Sequence, residues 1–288
     1  MSKKGVKMVI SAAGMAICLL CGSCGGPGTR ESAAGSASLS KGAGLPLSEA
    51  FREVREEQEE REIQEAQERA ARLEYYRVCD SGTIVEDALT EEETASLFDS
   101  SEISDEVFAR MDGVSYVEND NIALSELRYL RMLYMGFDGQ PHVGEMVVNE
   151  QIADAVLEIF RALYDNGYPI EKMRLIDEYG GDDDASCLDN NTSCFNYRVV
   201  EGSTHLSRHA FGMAIDINPF YNPYVTWENG VEHSSPPGSE PYADRSWEFP
   251  YKIGGEGDLC LELFEEYGFT WGGNWRTLKD YQHFQMDS

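Results

Sequence analysis

Apolar residues are unevenly spread along this chain: they are sparse between residues 25 and 110 and frequent beyond residue 120. A core forms where apolar surface can leave water together. A packed domain is therefore expected in the C-terminal part, with the N-terminal part as a poorly packed arm. The 288 residues suffice for one or two ordinary domains. Forty-two per cent hydrophobic and 11% aromatic residues supply a normal globular core.

The formal net charge of -29 opposes a nucleic-acid partner, because phosphates require a basic footprint. It equally opposes docking on an anionic lipid surface through charge. Its plain consequence is solubility.

The N-terminus reads as an address label. Lys3, Lys4 and Lys7 form a basic start, followed by an apolar run from Met8 to Cys21 that is short for a bilayer span. Cys21-Gly22-Ser23-Cys24 then resembles a bacterial lipoprotein cleavage site, with Cys24 as the lipidated residue and Cys21 where Leu is usual. Export and a lipid anchor in a bacterial cell envelope are the expectation.

Four cysteines follow the leader: Cys79, Cys187, Cys194 and Cys260. An even number in an oxidising compartment suggests disulfides. Cys187 and Cys194 flank a short polar loop and are expected to pair, leaving Cys79 with Cys260 or both free.

Composition divides the chain into a signal peptide over 1–23, a Gly/Ser/Ala-rich flexible linker over 24–47, a charged helix over 48–78, an acidic connecting region over 79–119 and a folded domain over 120–288. In the helix, Glu57/Arg61, Glu65/Arg69 and Glu68/Arg72 stand at i,i+4 in the favourable order. The arm is expected to act as a spacer that takes no part in chemistry. Within 120–288, extended segments are expected at Leu127–Met135, Glu145–Val148, Met173–Ile176, Phe195–Val199, Met213–Asn218 and Tyr281–Gln285. Helices are expected after Asn149 and over Leu259–Tyr267, with polar loops over 180–191 and 221–250. Mixed helices and mostly antiparallel strands indicate an α+β fold, a small sheet with flanking helices preceded by a helical N-terminal arm.

Five histidines are present: His142, His205, His209, His233 and His283. His209 precedes Asp216 by seven residues, with Gly212 as a possible bend between them. Met213, Ile215 and Ile217 alternate with Ala214, Asp216 and Asn218, which places Asp216 on the polar face of a strand. His283 follows Asp280 by three residues. Two His and one carboxylate leave an open fourth position on a catalytic zinc, with Asp280 as base. The same donor set also suits Fe(II), and both histidines could instead be ordinary buried residues. His142, His205 and His233 read as incidental.

The wording narrows these choices. Ser207-Arg208-His209-Ala210-Phe211-Gly212-Met213-Ala214-Ile215-Asp216 closely resembles the S-x-H-x-x-G-x-A-x-D signature of VanY-like zinc D-alanyl-D-alanine carboxypeptidases, which is shared by endolysins that cut L-alanyl-D-glutamate bonds. Gly268-Phe269-Thr270-Trp271-Gly272-Gly273-Asn274-Trp275 and Asp280-Tyr281-Gln282-His283-Phe284 resemble the closing motif of that family, and Phe195-Asn196-Tyr197-Arg198 resembles the segment carrying its arginine. The resemblance covers about residues 120–286 and leaves out the arm. It implies a zinc DD-peptidase or hedgehog-like fold and one Zn2+ per chain held by His209, Asp216 and His283. It also implies Asp280 as general base, where many members carry Glu. Arg198 would bind the substrate carbonyl or oxyanion, and Ser207 either substrate backbone or the turn. The implied substrate is a peptidoglycan stem peptide; separately from the resemblance, a monomer is expected. A catalytically inactive peptidoglycan-binding module on the same fold and a mononuclear iron enzyme are the alternatives.

Overall fold

The structure is a computed structural model that describes residues 47–200, 202–255 and 257–287. The expected signal peptide, the lipidation site Cys24 and nearly all of the linker over 24–47 lie outside the described residues. Two compact units are distinguished, residues 1–55 and 56–288. The described part of the first is the start of helix α1, where Phe51 and Val54 are exposed. Among the described residues no helix is long and apolar enough to cross a membrane.

Seven α-helices are described: α1 (Leu47–Val78), α2 (Glu91–Ala95), α3 (Asp105–Met111), α4 (Ala153–Asp165), α5 (Asp183–Leu188), α6 (Glu240–Ala243) and α7 (Leu259–Glu266). The strands are β1 (Asp99–Glu102), β2 (Leu127–Met135), β3 (Pro141–Asn149), β4 (Lys172–Met173), β5 (Asn191–Thr192), β6 (Ala214–Asp216), β7 (Tyr224–Glu228), β8 (Val231–Ser235), β9 (Thr270–Trp271), β10 (Lys279–Asp280) and β11 (His283–Gln285). They form antiparallel three-stranded sheets in the orders β1-β2-β3, β10-β7-β8 and β6-β11-β9, with β4 and β5 as a parallel pair. The architecture is α+β.

The hairpin β2–β3 is the backbone of the domain. Its turn works because Gly139 takes φ +73°, a conformation that favours glycine, and the Asp138 carboxylate accepts from the Gln140 N–H at 3.0 Å. Helix α4 lies on this hairpin through Val156, Ile159, Phe160 and Leu163, all buried and spaced to form one face. The same core takes in Met213, Ile215 and Ile217, Cys260 and Phe264 of α7, and Phe284 of β11. Phe264 stacks on Phe284 with ring centroids 4.2 Å apart. The strands that carry the candidate site are thus fastened from behind by apolar packing.

The arm ends much earlier than composition indicates. Residues 79–119, expected to be a connecting region outside the domain, are part of it. β1 extends the hairpin sheet by pairing with β2, Asp99 opposite Arg131 through Glu102 opposite Arg128. Tyr76, Cys79, Val85 and Leu97 are buried against Leu133 and Val143. Val107 and Met111 of α3 pack with Tyr116, Leu127, Val147 and Phe195. Arg110 of α3 reaches β3 and donates to both oxygens of Glu145 at 2.9 and 2.6 Å, while the Tyr129 hydroxyl donates to the same carboxylate at 2.6 Å. The apolar residues here are few, and most of the large ones are spent on the interface, with Ile84, Val114 and Val117 left exposed.

Other expectations also change. The polar loop over 180–191 contains α5, started by Asp182, whose side chain accepts from Ala185 N–H at 3.1 Å. The loop over 221–250 contains the hairpin β7–β8, turned at Asn229 and Gly230, both at positive φ. Phe195–Val199 is not a strand. Its backbone makes single bonds to Val147, His209 and Ser115 instead of a continuous ladder. Asn149 does not cap α4, whose N-cap is Ile152.

Candidate metal centre

The two strands β6 and β11 pair so that His283 stands directly opposite Asp216, with Phe284 opposite Ile215 behind them. His209 comes from a 3-10 turn, Arg208–Phe211, that precedes β6. The Ser207 side chain caps this turn by accepting from the His209 N–H at 3.3 Å, so Ser207 is placed as a shaper of the turn. Gly212 ends it at φ +64°, where an added Cβ would come within 2.6 Å of the Asn149 backbone nitrogen. No other residue fits that bend without moving β3.

Three donor atoms converge as a result. His209 Nε2 lies 3.2 Å from His283 Nδ1 and 3.2 Å from Asp216 Oδ2, and His283 Nδ1 lies 3.1 Å from Asp216 Oδ1. All three residues are buried, and among the described residues they form the one cluster of His, Cys, Asp or Glu compact enough to hold a metal ion. The remaining ring nitrogens are committed elsewhere. His209 Nδ1–H donates to the Cys194 carbonyl at 2.7 Å, and His283 Nε2–H donates to Gln285 Oε1 at 3.1 Å. Those bonds select the tautomers in which the neutral rings turn the lone pairs of His209 Nε2 and His283 Nδ1 toward each other and Asp216. This donor set fits a divalent metal ion that takes imidazole and carboxylate ligands.

The electrostatics agree with that reading. Burial pushes the Asp216 carboxyl up, but His209 and His283 outweigh it and hold Asp216 well below the ordinary carboxylate range. Burial lowers His283, yet Asp216 and Asp280 reverse the effect and raise it to about 9. Two imidazoles and a carboxylate facing one another this closely make a donor set suited to a cation.

Asp280 sits at the edge of the cluster, its Oδ2 3.9 Å from His283 Nδ1 and its Oδ1 buried without a hydrogen-bond partner. Burial, opposed by His283 and reinforced by Asp216, pushes its pKa far above the ordinary carboxylate range. A carboxyl near neutrality with a spare oxygen is suited to moving a proton. It is placed by Gly272, where a Cβ would approach the Asp280 carbonyl oxygen to 2.6 Å and the His283 Cβ to 3.3 Å. Tyr281, between Asp280 and His283, is held by the Pro223 carbonyl, by the Trp271 indole N–H at 2.9 Å and by the Arg245 guanidinium 4.4 Å above its ring. Arg198 lies within the electrostatic field of Asp216 and Asp183. Its backbone carbonyl accepts from the Ser207 N–H at 3.0 Å, its Nη2 donates to Asp183 at 2.6 Å, and its Nε is buried without a partner.

The expected Cys187–Cys194 disulfide is not formed. All four described cysteines are free and buried. Cys194 points into the main apolar core, whereas Cys187 belongs to α5 and lies in the field of Asp183, Asp216, Arg198 and Asp280. The two side chains serve different surroundings despite their closeness in sequence. His205 and His233 are exposed, and His142 is tied to Gly82 and Asp138 in the hairpin turn, so none of them joins the site.

With this geometry in view, the sequence comparison is decisive for one segment. Residues 201–286 match the family described as D-alanyl-D-alanine carboxypeptidase. The matched segment carries His209, Asp216, Asp280 and His283 and stops short of Arg198, α5 and the β2–β3 hairpin. It supports a peptidase, and with the His/Asp/His cluster it supports a metal-dependent one acting on peptidoglycan. No curated protein and no solved structure is significantly similar to the chain.

Several supporting residues were not singled out by sequence: Cys194 through its backbone, Gln285, Gly272, Asp183 and Arg245. Gln285 stands two residues after His283, a spacing that puts both side chains on one face of a strand, and that signal was available. Gly272 stands inside the closing motif, and the others act across long sequence separations and left none.

Proposed function

We propose that this protein is a zinc metallopeptidase that hydrolyses peptide bonds in the stem peptides of bacterial peptidoglycan, at a terminal D-alanyl-D-alanine bond or an L-alanyl-D-glutamate bond. The observation that carries the proposal is the convergence of His209 Nε2, Asp216 and His283 Nδ1, each imidazole oriented by its own acceptor, inside the segment that matches a peptidase family.

In this reading His209, Asp216 and His283 hold one zinc ion per chain. When bound, zinc supplies Lewis acidity and makes water a nucleophile near neutral pH. The chain's own residues do the rest. Asp280 takes a proton from the attacking water at its unpartnered Oδ1 and hands it to the leaving amine. Arg198 donates hydrogen bonds to the carbonyl oxygen as negative charge develops there. Ser207 keeps the His209 turn in shape. The N-terminal sequence supports an exported protein anchored through a lipid at Cys24 and working on the cell wall.

The test is a digestion of purified muropeptides with the full chain, read by mass spectrometry with and without a chelator, alongside metal analysis of the protein. Release of D-alanine or of an L-alanyl-terminated fragment, abolished by chelation and restored by zinc, is expected. Binding of muropeptides without any cleavage would instead identify a binding module. Iron in place of zinc would move the protein to another enzyme class.

A further inference from the structure

Asp183 belongs to a run, Asp182-Asp183-Asp184, that reads in sequence as a solvated loop. In the structure the run is divided by task. Asp182 caps α5, and Asp183 turns inward to accept from Arg198 Nη2 at 2.6 Å. The extended segment carrying Arg198 is fixed independently. Asn196 N–H donates to the His209 carbonyl at 3.1 Å, the Asn196 side chain donates to the Gly181 carbonyl at 3.2 Å, and Ser207 N–H donates to the Arg198 carbonyl at 3.0 Å. The loop before α5, the arginine segment and the turn bearing His209 are therefore tied together. The guanidinium is held at one end while its Nε–H, buried and without an acceptor, remains to be satisfied.

We propose that Asp183 is a positioning residue for Arg198: it fixes the guanidinium through Nη2 and offsets its charge, so that the head group is held ready for the substrate carbonyl. This rests on the peptidase reading above. It also refines the substrate chemistry. An arginine free of a carboxylate partner favours an anionic, bidentate ligand such as a terminal carboxylate. An arginine already paired to Asp183 favours a neutral carbonyl that gains charge only during reaction. Its contribution then falls on the transition state more than on substrate binding.

The test uses the full chain with a stem pentapeptide that contains both an L-alanyl-D-glutamate bond and a terminal D-alanyl-D-alanine bond. Asp183→Asn is expected to keep its metal and to hold KM within about twofold. Its kcat should fall about 10-fold, the pattern of an interaction made in the transition state. Arg198→Lys is expected to lower kcat at least as much, and the double variant to be no slower than Arg198→Lys alone. In the metal-free protein, the Arg198 Nε–H resonance, assigned by its loss in Arg198→Lys, should exchange with solvent faster in Asp183→Asn. An unchanged kcat in Asp183→Asn, or losses that multiply in the double variant, would overturn the proposal. If Asp183→Asn does not fold, Asp183→Glu decides. It keeps the carboxylate and should stay within about threefold of wild type, and a folded Asp183→Glu without the protected Nε–H refutes the pairing. A wild-type chain that binds no metal and cuts neither bond refutes the peptidase reading instead, and the resonance measurement still judges the Asp183–Arg198 pair.

Discussion

The segment over 201–286 and the segment over 76–149 are built on opposite terms. The first carries Asp216, Asp280 and His283 on strands of two or three residues, β6, β10 and β11, and His209 on a 3-10 turn. The second has almost no chemistry and two nine-residue strands, β2 and β3, paired along their whole length. Such short strands contribute few ladder bonds and cannot hold a 3 Å arrangement of polar atoms by themselves. Their register is set by the apolar faces beneath, Ile215 and Phe284, which pack on a core anchored to the hairpin and α4. Chemistry restricts residue identity, so the first segment has recognisable motifs. Packing accepts many apolar residues of suitable volume, so the second leaves only a pattern.

The strongest way to break this comparison is to remove a ligand. His209→Ala, Asp216→Ala and His283→Ala should each lose the metal and all activity while staying folded, because two donors hold zinc poorly. Metal analysis and circular dichroism check this together, and unfolding of all three would make the site part of the scaffold. In the metal-free protein His283 is protonated up to about pH 9. Metal uptake at neutral pH should therefore release a proton, which calorimetry in buffers of different ionisation heat would detect.

Truncation tests the other side. A chain starting at residue 115 loses β1, α3 and the buried Tyr76, Cys79, Val85 and Leu97. It should fail to fold or aggregate, because β2 and the faces of Leu133 and Val143 become exposed. A chain starting at residue 56 should melt close to the full protein. Activity in the shorter chain on soluble muropeptides would show that residues 76–114 are dispensable after all.

A smaller effect separates the two regions within one folded protein. Asp280→Asn should retain zinc and stability yet lose about 10²-fold or more in turnover. Arg110→Ala should do the reverse, lowering stability by about 1–3 kcal/mol with little change in turnover of the folded enzyme. That range reflects the buried Glu145 left with Tyr129, reduced because Arg110 is partly exposed. Burial raises Glu145, but Arg110, Tyr129 and Arg131 outweigh it and hold its pKa below the ordinary value. The stability this carboxylate contributes is present above its unfolded pKa of about 4.3 and is lost as pH falls through the folded value. Melting curves of wild type and Glu145→Gln should differ at pH 7 and approach each other in acid. The smallest effect is the control. His205→Ala should leave metal content, turnover and stability unchanged, since His205 is exposed.

What was legible follows the same division. The alternation from Met213 to Ile217 placed Asp216 correctly relative to the core, and the extended reading of Leu127–Met135 coincides with β2. β1 is Asp-Ser-Ser-Glu, a strand only because β2 offers it an edge, so no property of its own residues announces it. The hairpin β7–β8 did carry a signal, Asn229-Gly230, masked by the Pro and Tyr residues around it. Arg198 and Asp183 meet because α5 folds inside an acidic loop, a tertiary event that their fifteen-residue separation does not reveal.

His283 and Asp216 occupy one rung of a ladder, each the direct partner of the other. Sliding β11 by a single residue would bring Gln282 or Phe284 onto that rung and turn the imidazole to the opposite face. A misaligned chain could still bury much of its oil, yet it would be blind to metal. A metal ion held there would therefore act as a proofreader of strand alignment: it would reward only the correct pairing, and its capture would report that two stretches of chain 67 residues apart have met in the right frame.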